Sequence, residues 1–120
     1  MSNFAKTITP YVEAEFEAAQ KARAENKPDL EFRHLENAHV LGQSSTYWHT
    51  LTHCKMLAWS IRNKALRECL GQAFRIVGAA TKTAIGLVPE GNTGGANISP
   101  FKRLPVPDKL ATIIQLAKTA

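Results

Sequence analysis

Apolar residues recur every three or four positions along most of the chain, which is the spacing of one face of an α-helix. The first predicted helix begins at Thr9-Pro10, where threonine can cap the free amides and proline suits the first helical position. It extends to about Glu25. Its apolar stripe consists of Val12, Phe16 and Ala19. The pattern therefore predicts a helix with one buried face.

A turn over residues 26–29, Asn-Lys-Pro-Asp, separates this helix from a second one. The second helix is predicted from about Leu30 to Leu41, and Gly42 is well placed to stop it. Its predicted common face contains Phe32, Leu35, Glu36 and His39. Because the turn is short, we expect the two helices to form an antiparallel hairpin.

A third helical pattern starts at Ser45 or Thr46, either of which can cap it, and continues to about Ile85. One long helix or two shorter ones would fit, and glycines mark the candidate breaks at Gly71, Gly78 and Gly86. The main apolar stripe of this pattern consists of Leu51, Cys54, Ala58, Ile61, Ala65 and Cys69. We expect this stripe to face the core.

Residues 86–107 are rich in glycine and proline and too long for a simple connector. They form either a flexible surface loop or a folded lid. A final helix is predicted from Lys109 to Lys118, capped by Asp108, with Leu110, Ile113, Ile114 and Ala117 as its apolar face. The chain is thus expected to be a single all-α domain, residues 1–120, with three to five helices.

The composition narrows the class of protein. The net charge is +5, and residues 41–88 hold six basic side chains and only one acid, Glu68. These bases spread around the helical wheel without a known nucleic-acid-binding motif, so we do not expect nucleic-acid binding. The sequence has no apolar run of 18 residues and no signal-peptide pattern, so we expect a cytoplasmic protein that does not enter membranes.

The segment AHVLGQSSTYWHTLTHCKML, residues 38–57, holds three of the four histidines. His49 and His53 are four residues apart, so on a helix they lie on one face within reach of a single metal ion. Glu36 and His39 are spaced like the Glu-x-x-His pairs of metal-binding helical bundles. A hairpin of helices two and three would bring His39 near His49. The sequence therefore predicts a metal site formed by His39, His49, His53 and Glu36.

The ion is expected to be zinc, copper, nickel or iron, including haem iron, and Met56 and Cys54 are candidate soft ligands. His49 is followed by threonine, which excludes the zinc-protease pattern, and a second Glu-x-x-His pair is missing. A symmetric dimer would supply further ligands. The alternative is a structural histidine cluster, because a His-x-x-x-His pair is common in helices. Two separate cysteines, Cys54 and Cys69, are too far apart on one helix to pair.

The loop segment GNTGGAN lacks the lysine and hydroxyl residue of a phosphate-binding loop. Gly94 and Gly95 are expected to adopt positive φ. Asn92, Asn97 and Ser99 either bond locally or cover the histidine face as a lid or outer shell.

The segments AHVLGQ, ECLGQ and PEGNTGGANIS, with the His49/His53 pair, resemble a bacterial family of short proteins with a domain of unknown function. The resemblance covers nearly the whole chain. It implies an all-helical cytoplasmic protein and an association with heavy-metal handling, but no established activity. Residues 10–42 are also similar to one tetratricopeptide hairpin, although no second copy follows at the 34-residue period.

Two functions from different classes follow. The first is transition-metal binding by the histidine cluster, in a protein expected to be oligomeric. The second is a non-enzymatic interaction module that binds a protein partner through the N-terminal hairpin and through Trp48 and Trp59 as aromatic anchors. No acid/base pair is specific enough to name a reaction.

Overall fold

The computed structural model describes residues 2–84, 91–96, 98 and 102–120. Five helices lie in these residues: α1 (Asn3–Ala24), α2 (Pro28–Gly42), α3 (Thr46–Arg62), α4 (Leu66–Ala84) and α5 (Asp108–Thr119). No strand occurs among the described residues, so the prediction of an all-α protein is confirmed. None of the described helices combines the length and apolar character that a membrane crossing requires.

Helix α1 begins seven residues earlier than predicted. Its N-cap is Ser2, whose side chain accepts a hydrogen bond from the Ala5 amide. Thr9 lies inside the helix, where its hydroxyl donates to the Ala5 carbonyl and accepts from the Trp48 indole. Pro10 occupies an exposed position, where solvent can bond the carbonyl that loses its donor. The predicted start was wrong because Ala5 and Ile8 extend the buried stripe toward the N-terminus.

The turns after α1 and α3 use one motif, in which two amides bond back to carbonyls of the last helical turn. After α3, Lys64 has φ 54° and the Ala65 amide bonds to the Ser60 carbonyl. After α1, Asn26 has φ 55° and occupies the equivalent left-handed position, and the Lys27 amide bonds to the Ala22 carbonyl. This arrangement is a Schellman motif, which glycine usually terminates. Because lysine and not glycine occupies the left-handed position after α3, the motif could not be recognised in the sequence.

The third helical pattern therefore forms two helices, one of the two predicted alternatives, but the break lies at residues 63–65 and not at a glycine. Gly71 and Gly78, two of the predicted breaks, lie inside α4, and Gly86 lies outside the described residues. A Cβ atom at Gly71 would lie 2.4 Å from the Cβ atom of Ala96, so this glycine allows the later loop to approach α4. Its role is close packing rather than helix termination.

The main core lies where α1, α2, α3 and α5 meet. Its buried members are Ile8, Val12, Ala38, Val40, Leu41, Trp48, Leu110, Ile114 and Ala117. The predicted apolar face of α5 is confirmed at three positions, with Ile113 partly buried, while the residue at the N-cap of α5 is Pro107 rather than Asp108. A smaller cluster, Ala19, Leu35 and Met56, joins the α1–α2 hairpin to α3.

The predicted core stripe of α3 was wrong except at Leu51, which is partly buried against the main core. Cys54 and Ala58 are exposed, and Ile61 is 62% exposed. The buried face instead contains Trp48, His49, Thr52, His53, Met56 and Ser60. The apolar pattern misidentified this face because four of its six members are polar residues that have partners inside the protein. Cys54 and Cys69 are both free. A cytoplasmic location stays a prediction.

We expect Ile8→Ala to lower the free energy of unfolding by about 2–5 kcal/mol, because the side chain is fully buried and its removal leaves a cavity. Ile61→Ala is the matched control and should change it by less than about 0.5 kcal/mol. Urea unfolding followed by circular dichroism measures both. Equal losses would contradict the placement of these two helices.

Candidate metal centre

Three buried histidines meet between α2 and α3. His39 projects from the last turn of α2, and His49 and His53 lie one turn apart on α3, because Ser45 starts that helix just before them. Each of the three is 2–3% exposed. Their ring centroids are 4.7 to 5.0 Å apart, and one ligand nitrogen from each ring lies within 4.8 Å of the others. The structure thus brings together the three histidines that the sequence predicted.

The hydrogen bonds of two rings determine which nitrogens face inward. His39 Nδ1 lies 2.6 Å from the carbonyl oxygen of Asn92, and His53 Nδ1 lies 2.5 Å from Oε1 of Gln72. A carbonyl oxygen only accepts, so both Nδ1 atoms carry the proton and donate. The two Nε2 atoms are then unprotonated in the neutral rings. They face each other at 3.1 Å.

Gln72 is oriented by two further bonds, which support this assignment. Its Nε2 donates to Oε2 of Glu68 at 2.5 Å and to the carbonyl of Gly94 at 2.8 Å. Both partners are acceptors, so the amide nitrogen must point toward them and the amide oxygen toward His53. A chain of hydrogen bonds therefore runs from the Glu68 carboxylate through Gln72 to the His53 ring.

Burial lowers the pKa of His39 well below its usual value, and the neighbouring His53 and His49 lower it further. The ring is therefore neutral at pH 7. A proton shared between the Nε2 atoms of His39 and His53 would require one ring to become an imidazolium. The desolvated surroundings oppose that charge.

The loop before α5 covers the cluster. The Asn92 carbonyl accepts from His39, and the Asn92 side chain bonds to the Gly94 amide and the Lys102 carbonyl. Gly94 has φ +85°, and a Cβ atom added there would lie 2.5 Å from Cδ2 of His39. Only glycine allows the backbone to lie this close to the ring. Residues 91–96 and 98 thus form a lid, hereafter the loop lid.

Helix α4 holds the loop lid in place through three polar residues on one face. Glu68 accepts from the Ala96 amide at 3.0 and 3.1 Å, and Gln72 bonds to Gly94. Arg75 donates to the carbonyls of Gly94, Gly95 and Ile98. Sequence reasoning missed these residues, although Glu68 and Gln72 stand four apart in the segment ECLGQ, as polar residues on one helix face.

The other predicted site residues lie apart from the three nitrogens. Burial raises the pKa of Glu36, whose side chain bonds to Thr93 of the loop lid. Cys54 is exposed, and Met56 is buried against Ala19 and Leu35. Among the described residues, only the three histidines form a group with metal-ligand spacing. Asn97 and Ser99 lie outside the described residues.

The cavity at the cluster is small. It holds about 10 Å³, roughly the space that one water molecule needs. Its lining consists of His39, Gln43, His49, His53, Arg75, Asn92 and Gly94. A single ion with one small ligand fits this space, but a porphyrin does not. The size of this cavity therefore favours a single ion over haem iron.

Residues 6–114 match the family described as "Protein of unknown function (DUF3703)". The chain belongs to this family. The match covers most of the chain, including all three histidines, Gln72 and the described loop lid, and it confirms the family resemblance seen in the sequence. No curated protein and no solved structure matches the chain. Membership of DUF3703 assigns no activity to the chain, so only the residues of the site indicate its chemistry.

We expect Gly94→Ala to lower the free energy of unfolding by about 1 kcal/mol or more, because the methyl group meets the His39 ring and the backbone needs positive φ. Gly95→Ala should cost less, since Gly95, contrary to the sequence prediction, is not among the glycines with positive φ. Thermal unfolding of both variants measures the difference. An unchanged melting temperature for Gly94→Ala would contradict the contact between loop and ring.

The metal-free protein should lose stability as the pH falls below about 6.5. Its unfolded chain takes up a proton on His39 there, whereas the folded chain keeps the pKa of that ring well below its usual value. Urea midpoints measured between about pH 7.5 and 5.5 report the loss. His39→Gln, which removes the group, should make the dependence shallower. An identical slope in both proteins would contradict the neutral buried ring.

Proposed function

We propose that the protein binds one first-row transition-metal ion through His39, His49 and His53. The observation that carries this proposal is the inward pair of Nε2 atoms 3.1 Å apart, with both Nδ1 atoms bonded outward. A buried histidine cluster with a purely structural role needs its polar atoms paired with each other or with the protein. Two Nε2 atoms held this close by outward-bonded rings, with a third imidazole beside them, form a ligand arrangement that suits joint coordination of one cation.

The distances suit a metal ion with little rearrangement. Metal–nitrogen bonds of about 2.0–2.1 Å at tetrahedral angles place two ligand nitrogens roughly 3.3 Å apart. The His39–His53 pair at 3.1 Å already has this spacing. The third nitrogen lies within 4.8 Å of the others. Small rotations of the ring of His49 therefore complete a three-nitrogen site.

The surrounding residues support the ligands in the manner of metal proteins. A metal-bound histidine usually donates its other ring nitrogen to a carbonyl or carboxylate, which fixes its orientation. His39 does this toward the Asn92 carbonyl, and His53 does it through Gln72 toward Glu68. In this proposal Glu36, which bonds to Thr93, lies outside the group of three nitrogens and does not bond to the ion.

The donor set favours zinc, copper, nickel or ferrous iron over magnesium or calcium, because imidazole nitrogen suits the former and the latter prefer oxygen. The small cavity leaves room for one water-sized fourth ligand.

The rival function, an interaction module, was predicted to use Trp48 and Trp59 as aromatic anchors. Trp48 is buried in the core, and Trp59 packs on Phe32 and donates to the Pro28 carbonyl.

Metal analysis of protein purified without a histidine tag, after loading with Zn²⁺ and removal of excess, tests the proposal. We expect one ion per chain, and we expect His39→Ala, His49→Ala and His53→Ala each to lose most of it. His34→Ala is the matched control, because His34 lies outside the cluster and bonds to Glu15. It should keep the full content. Circular dichroism should show that helix content is retained in all four variants.

Gln72→Leu provides a finer test, since it removes the acceptor of His53 but no ligand. We expect its zinc affinity to fall roughly 10- to 100-fold in a competition titration. Absence of bound metal after loading with zinc, copper, nickel and ferrous iron would refute the proposal. Equal metal loss in His34→Ala would refute the assignment to these three rings.

A further inference from the structure

Helix α4 carries an exposed apolar face opposite its polar one. Four large side chains on it are between 64% and 75% exposed: Leu66, Leu70, Phe74 and Val77. The opposite side of the helix contacts α3 and bears Gln72 and Arg75, which hold the loop lid. Scattered exposed leucines are ordinary, whereas a contiguous apolar face of this size marks an interaction surface.

The spacing on this face is that of helix–helix packing. Leu66, Leu70, Ala73, Val77 and Ala80 follow one another at intervals of four, three, four and three residues, and all five are exposed. A repeat of this kind forms a seam that packs against a second helix. Phe74 lies beside the seam and widens it. We call these six residues the α4 seam.

We propose that the α4 seam of a second copy of this chain covers the α4 seam of the first, with the two helices antiparallel about a two-fold axis at Ala73. The seam is large at its start, Leu66 and Leu70, and small at its end, Ala80. An antiparallel pair places Leu66 against Ala80 of the partner, so that large side chains meet small ones. At the axis, alanine faces alanine and lets the backbones approach closely.

The area agrees with a stable dimer of modest size. The four large side chains together present on the order of 500 Å² of apolar surface, and the alanines and flanking residues bring each partner toward the roughly 800 Å² of a standard interface. The interface lies on the side of α4 away from Gln72 and Arg75. The dimer therefore leaves the loop lid and the histidines uncovered, and it forms whether or not a metal ion is bound.

Sedimentation equilibrium of the full chain, with and without added Zn²⁺, tests the interface. We expect a dimer at micromolar concentration in both conditions. Leu70→Glu should raise its dissociation constant at least 100-fold, because it buries a carboxylate in the seam. Leu116→Glu is the matched control, since Leu116 is also exposed, at 52%, but lies on α5. It should leave the dimer unchanged.

The orientation has its own test, in chains where Cys54 and Cys69 are replaced by serine. Under mild oxidation Ala73→Cys should form a covalent dimer, because the two copies meet at the axis. Ala80→Cys should not, since its two copies lie roughly 20 Å apart. The reverse pattern would overturn the antiparallel arrangement.

A wild-type chain that stays monomeric to about 100 μM would overturn the proposal, as would equal effects of Leu70→Glu and Leu116→Glu. Binding of the monomer to vesicles of anionic phospholipid, lost in Leu70→Glu, would overturn it in favour of a membrane surface as the occupant of the seam.

Discussion

The hydrogen bond from His39 to the Asn92 carbonyl connects helix α2 to the loop lid. It joins α2 to a loop more than fifty residues later, and it closes the cavity over three imidazoles that would otherwise meet solvent. Burying three rings is costly unless each nitrogen has a partner. The loop lid, the Gln72 amide and the tight turn at Gly94 all serve that requirement.

The fold was predicted from the sequence where apolar periodicity and ordinary turn residues coincide. Helix α2 and helix α5 follow their patterns closely, with Gly42 ending the former and Ile114 facing the core in the latter. The break between α3 and α4 was missed because Lys64 occupies a left-handed position that glycine usually fills. The start of α1 was missed because proline inside a helix is rare, and only its exposed position allows it.

The candidate site was predicted in part, and for a physical reason. The i, i+4 spacing of His49 and His53 and the short connection from α2 were enough to bring the three histidines together. Their burial was not predictable, because four of the six residues on the buried face of α3 are polar and a hydrophobic wheel therefore selects the opposite side of the helix. Gln72 and Arg75 escaped notice because their role depends on contacts with Gly94, some twenty residues away, which no local pattern encodes. Helix α4 holds the loop lid with the polar residues of one face, and it exposes the apolar residues of the α4 seam on the other.

X-ray absorption spectroscopy at the metal edge of the zinc-loaded protein reports the atoms bonded to the ion. It therefore tests whether His39, His49 and His53 hold that ion. We expect three imidazole nitrogens at about 2.0–2.1 Å from the ion, with the outer-shell scattering of histidine rings and at most one further light ligand. A sulfur shell, a shell of oxygen atoms alone or fewer than two imidazoles would contradict it.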